Sequence, residues 1–216
     1  MSSISVDNYL KNVYELGISE GKVTTNLLAK RLNIAPASVT GMIKKLSKQG
    51  YLRHVPYQGV EVTEKGKRSA LRIIRKHRLW EMFLLEVLRF PWDSIHEEAE
   101  AFEHIMSEKI ENRIDEVLGF PTVDPHGAPI PSKNGTVKKL HLKPLEQSRE
   151  GSTVQVLSVN DENPELLQYA SSIGISLNSK IVIKQKNAFD GSLVIRVGNK
   201  DTVISSTLAH NIFVEA

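Results

Sequence analysis

The segment from His96 to His104 combines two imidazoles with four carboxylates within nine residues. On one continuous helix, at about 100° per residue, His96, Glu100, Glu103 and His104 fall on one face, beside an apolar stripe that must face the core. Carboxylates crowded at the edge of a buried seam repel one another unless a cation compensates them. The segment therefore predicts a divalent-metal site, and a helical face of salt bridges is the alternative.

A second pair of potential ligands, His77 and Glu81, has i, i+4 spacing on the preceding predicted helix. Two such helices packed antiparallel can present nitrogen and oxygen ligands across a gap. The chain has no cysteine, which excludes disulfides, thiolate zinc sites, iron–sulfur clusters and cysteine nucleophiles. Nitrogen and oxygen donors suit Mn²⁺, Fe²⁺, Co²⁺, Ni²⁺ or Zn²⁺. A metal hydrolase is the enzymatic alternative, but no H-E-x-x-H sequence, nucleophile or oxyanion motif stands out, so we do not expect an enzyme.

The charge is unevenly distributed along the chain. Residues 1–75 contain 13 Lys and Arg against 5 Asp and Glu, a net charge of +8, whereas residues 76–140 have a net charge of −4 and residues 141–216 of −1. A basic block on a folded domain is typical of proteins that bind a polyanion. A solvated basic surface on an ordinary helical domain is the alternative.

The basic block has the pattern of a winged helix-turn-helix. Two short helices, at about 27–32 and 36–49, are separated by a three-residue turn, and two short strands at 51–55 and 60–62 follow. The second helix is expected to enter the major groove of double-stranded DNA, with small and hydroxyl side chains first and lysines further along for phosphates. The expected DNA contacts are Pro36, Ala37, Ser38, Thr40, Gly41, Lys44, Lys45, Lys48, Tyr57 and Gln58.

The rest of the chain reads as long helices followed by short strands. We expect helices over about 63–89 and 94–118, a Pro- and Gly-rich linker over 121–148, and a small β-barrel made of strands at 153–159, 180–186, 193–197, 202–204 and 212–214 with a helix at 164–172. The fold class is thus mainly α with small β parts. The predicted domains are a winged helix-turn-helix over 1–66, a helical metal-binding and dimerisation domain over 67–140, and an SH3-like barrel over 141–216.

Two further expectations concern the surroundings of the chain. No apolar run is long enough to span a membrane and the start has no signal-peptide pattern, so we expect a cytoplasmic protein without a membrane partner. The stretch from Leu79 to Leu88 in the first long helix is apolar almost all round, which is more than one small core needs. We therefore expect a homodimer whose interface includes Leu79, Trp80, Phe83, Leu84, Val87 and Leu88.

Several short segments together resemble the DtxR/MntR family of metal-dependent transcriptional repressors. They are Asn8-Tyr9-Leu10, the winged helix, Arg75-Lys76-His77-Arg78-Leu79 and Glu103-His104-Ile105-Met106-Ser107. The resemblance covers nearly the whole chain. It implies a metal-dependent repressor of metal-ion homeostasis that binds an operator as a homodimer, with an SH3-like, FeoA-like domain at its carboxyl end.

The resemblance also implies a first metal site made of Asn8, Glu100, Glu103 and His104. Asn8 stands where better-known members have Met or Asp, and its carbonyl oxygen is a neutral ligand. Glu100 stands where iron-type members have Cys and manganese-type members have Glu. A site of oxygen and imidazole donors favours Mn²⁺ over Fe²⁺, which remains the alternative.

A second metal site is implied in one of two forms, giving up to two ions per subunit. The iron-type form uses His77, Glu81 and His96 with two carboxylates of the last domain, Glu162 and Glu165. The other form combines Glu81 with Asp124 and His126 of the linker, which could equally be a simple Pro/Gly turn. Lys11 stands where small binuclear manganese regulators have Glu.

These assignments lead to a hypothesis for the mechanism. Asn8 belongs to the predicted DNA-binding domain, while Glu100, Glu103 and His104 belong to the predicted dimerisation domain. A cation held by both would restrain the winged helix, and its effect depends only on a higher affinity for the DNA-competent arrangement. Coupling of typical strength would tighten operator binding about 5–150-fold. A metal-independent DNA-binding protein is the rival hypothesis.

Overall fold

The computed structural model describes residues 4–55 and 59–216, with side chains from Val6 onward. Tyr57 and Gln58, two of the predicted DNA contacts, lie outside the described residues. The chain folds as two units. The first comprises the residues up to His77 with Glu103–Met106 and Pro131–Thr136, and the second comprises Arg78–Phe102, Ser107–Ile130 and Val137–Ala216.

The first unit contains the predicted winged helix-turn-helix. Its helices are α1 (Ile4–Ser19), α2 (Thr25–Leu32) and α3 (Pro36–Lys48), and its antiparallel hairpin pairs β1 (Leu52–Val55) with β2 (Gly59–Val62). The α2 helix begins where the side chain of Thr24 accepts a hydrogen bond from the backbone N–H of Leu27. Leu10, Leu28 and Leu46 are fully buried in the core of this unit. The helices therefore hold one another through their apolar faces.

The helix predicted over 94–118 is wrong, because the structure has two helices there. The α4 helix (Glu64–Glu86) is followed by α5 (Ile95–Phe102) and α6 (Glu108–Val117), with a turn at 103–107. The side chain of Ser107 accepts a hydrogen bond from the backbone N–H of Ile110, which starts α6 anew. Glu103 and His104 therefore lie on a turn and do not share one helical face with His96 and Glu100.

The second unit carries a six-stranded antiparallel sheet. Its strands are β3 (Leu142–Pro144), β4 (Thr153–Val159), β5 (Lys180–Lys186), β6 (Leu193–Val197), β7 (Lys200–Ile204) and β8 (Ile212–Glu215), in the order β3-β8-β4-β5-β6-β7. A 3-10 turn (Leu145–Gln147), α7 (Pro164–Ser172) and α8 (Ser206–His210) complete it. Within the described chain β3 and β7 are the two edges, so the sheet is not closed into the expected barrel.

The predicted strands β4, β5 and β6 and helix α7 have the bounds that the sequence indicated, whereas β3 and α8 were missed. The core of the sheet is made of alternating aliphatic side chains, including Val156, Ile181, Ile183 and Ile195. Across residues 4–55 and 59–216, no helix has both the length and the hydropathy needed to cross a membrane.

Candidate metal centres

The second unit brings five ionisable side chains together, here called the Glu81 cluster. Glu81 comes from α4, His96 from α5, Asp124 and His126 from the turn after α6, and Asp161 from the loop after β4. Glu81, Asp124 and His126 are buried and each offers one ligand atom within 4.8 Å of the other two. Four separate chain segments thus converge on one polar centre inside the fold.

The imidazole of His126 is oriented by the backbone around it. Its Nε2 lies 3.1 Å from the carbonyl oxygen of Trp92, an acceptor, so Nε2 carries the proton and Nδ1 is left with a lone pair in the neutral ring. Nδ1 is buried, has no hydrogen-bond partner among the described residues, and lies 3.6 Å from Oδ2 of Asp161 and 4.0 Å from Oε1 of Glu81. A lone pair facing two carboxylates is the arrangement that a divalent cation would satisfy.

Asp124 is fixed in a tight turn next to His126. Its Oδ1 accepts hydrogen bonds from the backbone N–H groups of His126 and Ala128, both at 2.9 Å, while its Oδ2 lies 3.2 Å from Nε of Arg78. Burial and repulsion by the Glu81 carboxylate raise the pKa of Asp124 to about 8, against the opposing charge of Arg78. Repulsion between buried carboxylates is what a bound cation would relieve.

His96 closes the exposed side of the cluster. Its Nδ1 lies 3.1 Å from Oε1 of Glu81 and 3.4 Å from Oδ2 of Asp161. Burial disfavours the charged imidazole, but hydrogen bonds with the Asp161 and Glu81 carboxylates outweigh it and raise the pKa of His96 to about 10. His96 Nε2 lies 4.0 Å from Oε1 of Glu100, which is partly exposed. A protonated His96 thus partly neutralises the carboxylates in the metal-free chain.

The turn that carries Asp124 and His126 is pinned against β4. The carbonyl oxygen of His126 accepts hydrogen bonds from the backbone N–H of Val159 and the hydroxyl of Ser158, both at 2.9 Å. Gly127 has a φ of +87°, and a Cβ at this position would lie only 2.0 Å from the carbonyl oxygen of Leu157. Glycine is therefore required where the turn meets the strand.

The first unit holds a separate group, here called the Glu103 cluster. It combines Lys11 of α1, His77 of α4, and Glu103 and His104 of the turn after α5. Glu103 is fully buried; its Oε2 lies 2.9 Å from Nζ of Lys11 and 2.7 Å from Nδ1 of His77, and its Oε1 lies 3.3 Å from Nε2 of His104. Burial opposes the charge on Glu103, but the hydrogen bond with His77 and the charge of Lys11 lower its pKa below the usual value.

Three potential ligand atoms of this unit are buried without a hydrogen-bond partner in the described part of the chain. They are Oδ1 of Asn8, Oε1 of Glu103 and Nδ1 of His104. Nδ1 of His104 lies 3.8 Å from Oδ2 of Asp7, a residue that the sequence did not indicate as a ligand. Buried polar atoms left without partners cost free energy, which a bound cation would recover. The donor set fits a divalent ion.

Sequence reasoning missed Asp161. The expected carboxylates Glu162 and Glu165 are both exposed, whereas the preceding residue, Asp161, is only 28% exposed and contacts His96 and His126. The i, i+3 spacing of Glu162 and Glu165 places them on one face only if both lie on the same helix. Helix α7 begins at Pro164, after Glu162. The Asn-Asp-Glu-Asn-Pro segment at the end of β4 was the available signal, since a loop carboxylate next to a helix cap can turn inward.

The predicted DNA contacts that the structure describes lie on the open face of α3. Pro36, Ala37, Ser38, Thr40, Gly41, Lys44, Lys45 and Lys48 are all exposed. The opposite face, with Val39, Ile43 and Leu46, is buried. The helix therefore presents small residues at its start and three ammonium groups further along.

The predicted dimer residues divide into two groups. Leu79 and Leu84 are buried within the single chain, and Trp80 and Phe83 are partly buried, with their rings 5.7 Å apart. Val87 and Leu88, in the turn just after α4, are 44% and 51% exposed. The apolar surface that stays open therefore lies just after α4, whereas Leu79 and Leu84 in the last turns of the helix belong to the core of the chain.

Comparison with known proteins defines the class. The family model "Iron dependent repressor, N-terminal DNA binding domain" matches residues 1–60, "Iron dependent repressor, metal binding and dimerisation domain" matches 63–132, and the FeoA domain matches 143–216. The first two are domains of DNA-binding transcriptional repressors, which are not enzymes.

Individual relatives agree over the whole length. The chain is 28% identical to the iron-dependent repressor IdeR of Mycobacterium leprae, over 98% of this chain and 96% of the relative. A solved manganese-dependent transcriptional repressor in complex with manganese is 36% identical, with a TM-score of 0.91 over 98% of this chain and 99% of that one. The repressor ScaR with bound Cd²⁺ is 32% identical, with a TM-score of 0.85 over 97% and 98%. The chain belongs to the DtxR/MntR family of metal-dependent transcriptional repressors.

Proposed function

We propose that this repressor responds to Mn²⁺ and holds two divalent ions per subunit, one in the Glu81 cluster and one in the Glu103 cluster. The observation that carries the proposal is the lone pair of His126 Nδ1, which is buried and faces the carboxylates of Asp161 and Glu81 at 3.6 Å and 4.0 Å. A divalent ion bound there adds positive charge beside these carboxylates and accepts the imidazole lone pair. In the first unit, the second ion would be held by the buried atoms of Glu103 and His104 together with Oδ1 of Asn8.

The choice of Mn²⁺ rests on the donor types. The potential metal ligands of both clusters are carboxylate and imidazole groups, with the amide of Asn8 as a further donor in the first unit, and the chain has no thiolate. Hard oxygen donors suit Mn²⁺ better than softer sites do. A structure with manganese is also among the most similar solved structures. Fe²⁺ is the second candidate, because the relative IdeR is an iron-dependent repressor.

Some of the potential metal ligands in and around the Glu103 cluster belong to α1 of the DNA-binding domain. Asp7, Asn8 and Lys11 lie on α1, and α1 also supplies Tyr9, Leu10 and Val13 to the core shared with α2 and α3. When Glu103, His104 and Asn8 bind the same metal ion, α1 is restrained against the turn after α5. Because α1 packs against α2 and α3, this restraint favours one arrangement of α3, the helix expected to contact DNA.

The proposed partner is an operator in double-stranded DNA, bound by a homodimer. The exposed face of α3 supplies close-approaching small residues and three lysines. Two copies would place two such helices on successive major grooves of a pseudo-palindrome. We also propose domain bounds of 1–66, 67–140 and 141–216, which the matched ranges 1–60, 63–132 and 143–216 support.

The proposal is tested by metal-dependent DNA binding. A duplex is selected from a random pool with the Mn²⁺-loaded protein, and its affinity is measured by fluorescence anisotropy in rising Mn²⁺ and, without oxygen, in rising Fe²⁺. We expect the metal to tighten binding about 5–150-fold, with Mn²⁺ effective at the lower concentration. The variant His104→Ala should lose this gain, whereas the control His210→Ala, at an exposed histidine, should keep it. Equal affinity with and without metal would contradict the proposal.

A further inference from the structure

Trp92, in the turn just before α5, contacts the segment that carries His126 in three ways. Its indole Nε1 donates a hydrogen bond to the carbonyl oxygen of Pro125 at 3.0 Å, and its own carbonyl oxygen lies 3.1 Å from Nε2 of His126. Its ring also packs on the His126 imidazole, with the ring centroids 5.2 Å apart and the planes tilted by 31°. Trp92 thus contacts two consecutive residues of this segment.

Trp92 is itself held in place by the structure around it. It is partly buried, and its side chain packs both against the core of the sheet and against the small apolar cluster around Ile95. Its neighbour Asp93 accepts a hydrogen bond from the side-chain amide of Gln168 in α7 at 2.7 Å. Side chains packed into a close-packed interior have little room to change orientation. The carbonyl oxygen of Trp92 therefore has a fixed place next to His126.

The contact with Trp92 selects the nitrogen of His126 that is free to bind a metal ion. A carbonyl oxygen can only accept a hydrogen bond, so the neutral imidazole has its proton on Nε2 and a lone pair on Nδ1. In the other tautomer Nδ1 would carry the proton, next to the carboxylates of Asp161 and Glu81, and could not bind an ion. The carbonyl of Trp92 thus prepares His126 as a ligand.

We propose that Trp92 is a positioning residue for the Glu81 cluster, which holds His126 in the orientation and the tautomer that bind a metal ion through Nδ1. Trp92 supplies no ligand atom itself. The inference rests on the proposed function, because it requires that the Glu81 cluster binds Mn²⁺. Removing a group that orients a ligating histidine typically weakens metal binding about 10–100-fold, so part of the affinity of this cluster is assigned to Trp92.

The first test determines the tautomer of His126 in the metal-free, full-length chain. The protein is labelled with ¹⁵N-histidine and studied by NMR in mildly alkaline buffer, and the signals of His126 are assigned by their loss in His126→Ala. We expect a protonated Nε2 and an unprotonated Nδ1 in the wild type and in Trp92→Phe, which keeps an aromatic ring on the imidazole. Trp92→Ala should give a mixture of the two tautomers. A wild type with the proton on Nδ1 would overturn the inference.

The second test measures how far the Mn²⁺ affinity depends on Trp92. Calorimetric titrations are made in the His104→Ala background, which leaves the Glu81 cluster as the proposed site. We expect Trp92→Ala to weaken binding about 10–100-fold and Trp92→Phe to weaken it less than about tenfold. Should Trp92→Ala not fold, Trp92→Leu takes its place with the same expected loss, because leucine fills part of the space but has neither a ring nor an N–H group.

The control variant separates positioning from stability. Ile175→Ala removes a fully buried side chain from the same sheet core against which Trp92 packs. It should lower the Tm of the chain, because it leaves a cavity in the core, and should leave both the Mn²⁺ affinity and the tautomer of His126 unchanged.

The outcomes distinguish this inference from the proposed function. If Trp92→Ala, or Trp92→Leu in its place, keeps the affinity of the background chain, or loses no more than Ile175→Ala does, the role of Trp92 is overturned while the metal site stands. A His104→Ala chain that takes up no Mn²⁺ would contradict the ion proposed for the Glu81 cluster and, with it, this inference.

Discussion

At the scale of single residues, Asp161 is the carboxylate that completes the Glu81 cluster. Its Oδ2 lies 3.4 Å from Nδ1 of His96 and 3.6 Å from Nδ1 of His126. Burial opposes the charge on Asp161, but hydrogen bonding with His96 lowers its pKa. We expect Asp161→Ala to weaken Mn²⁺ binding at this cluster about 10–100-fold, the range found for groups that support or form a metal site. Isothermal titration calorimetry measures the loss.

The neighbouring residue provides the control for Asp161. Glu162→Ala removes the same functional group at an exposed position one residue away, and its Mn²⁺ titration should match that of the wild type. If Glu162→Ala weakens binding and Asp161→Ala does not, the last domain contributes Glu162 to the metal site, and the prediction for Asp161 is wrong.

Individual side chains were predictable to different degrees. The resemblance indicated Asp124 and His126, because short motifs keep their order along the chain. In the structure both residues lie beside Glu81. Asp161 could not be found from spacing, since its direction is set by where β4 ends and by the Asn163 side chain that caps α7. Such tertiary constraints leave no periodic trace in the sequence.

At the scale of elements, the turn at 123–129 depends on its contact with β4. Gly127→Ala places a methyl group 2.0 Å from the carbonyl oxygen of Leu157, at a φ of +87°. We expect it to lower the free energy of unfolding by roughly 2–4 kcal/mol, from the sum of backbone strain and steric overlap. Urea denaturation measures the change, and Mn²⁺ binding by the Glu81 cluster should weaken with it.

Gly135 is a matched control, because its φ is +76° but the nearest atom to a Cβ placed there would be a side-chain atom of Leu71 at 3.8 Å. Gly135→Ala should cost about 1–2 kcal/mol, the strain of a left-handed residue alone. Equal losses at the two glycines would show that overlap with Leu157 contributes nothing and that the turn is not pinned to β4.

The α3 helix leads to a prediction about salt. Lys44 and Lys48 are exposed on the face proposed to meet DNA. Replacing either by Ala should weaken binding to all sequences alike and reduce the slope of log K against log salt by about 0.9 for each phosphate that the protein no longer neutralises. Anisotropy over a range of KCl measures the slope. The control Lys180→Ala, at an exposed position of β5, should leave the slope unchanged. If neither Lys44→Ala nor Lys48→Ala alters the slope, the DNA does not contact this face of α3.

Elements were predictable where local signals mark their ends. Alternating apolar residues indicated β4, β5 and β6, and Pro36 indicated the start of α3. The break between α5 and α6 was missed because the residues from 95 to 118 contain neither Pro nor Gly. Ser107 was the signal that could have shown it, as a side-chain cap for a new helix.

At the scale of the whole molecule, we predict that the exposed apolar residues just after α4 take part in the association of two copies. Val87 and Leu88 are about half exposed in the single chain, and Phe90 follows at 37%. Apolar side chains grouped on a surface indicate a contact with another protein, and the family model matched at 63–132 is a dimerisation domain. Val87 and Leu88 are therefore the part of the predicted interface that a second subunit can still cover.

A charge placed in this surface should separate the subunits. Burying a carboxylate without a partner at an interface costs several kcal/mol, so Val87→Glu with Leu88→Glu should sediment as a monomer in analytical ultracentrifugation. A monomer reaches only one half-site, and its affinity for the selected duplex should fall roughly 10²-fold or more because the second contact is no longer intramolecular. Phe189→Glu, at a fully exposed residue between β5 and β6, should remain dimeric. If the α4 variant is also dimeric, the subunits meet through another surface, and the spacing of the two α3 helices on DNA must be derived from that one.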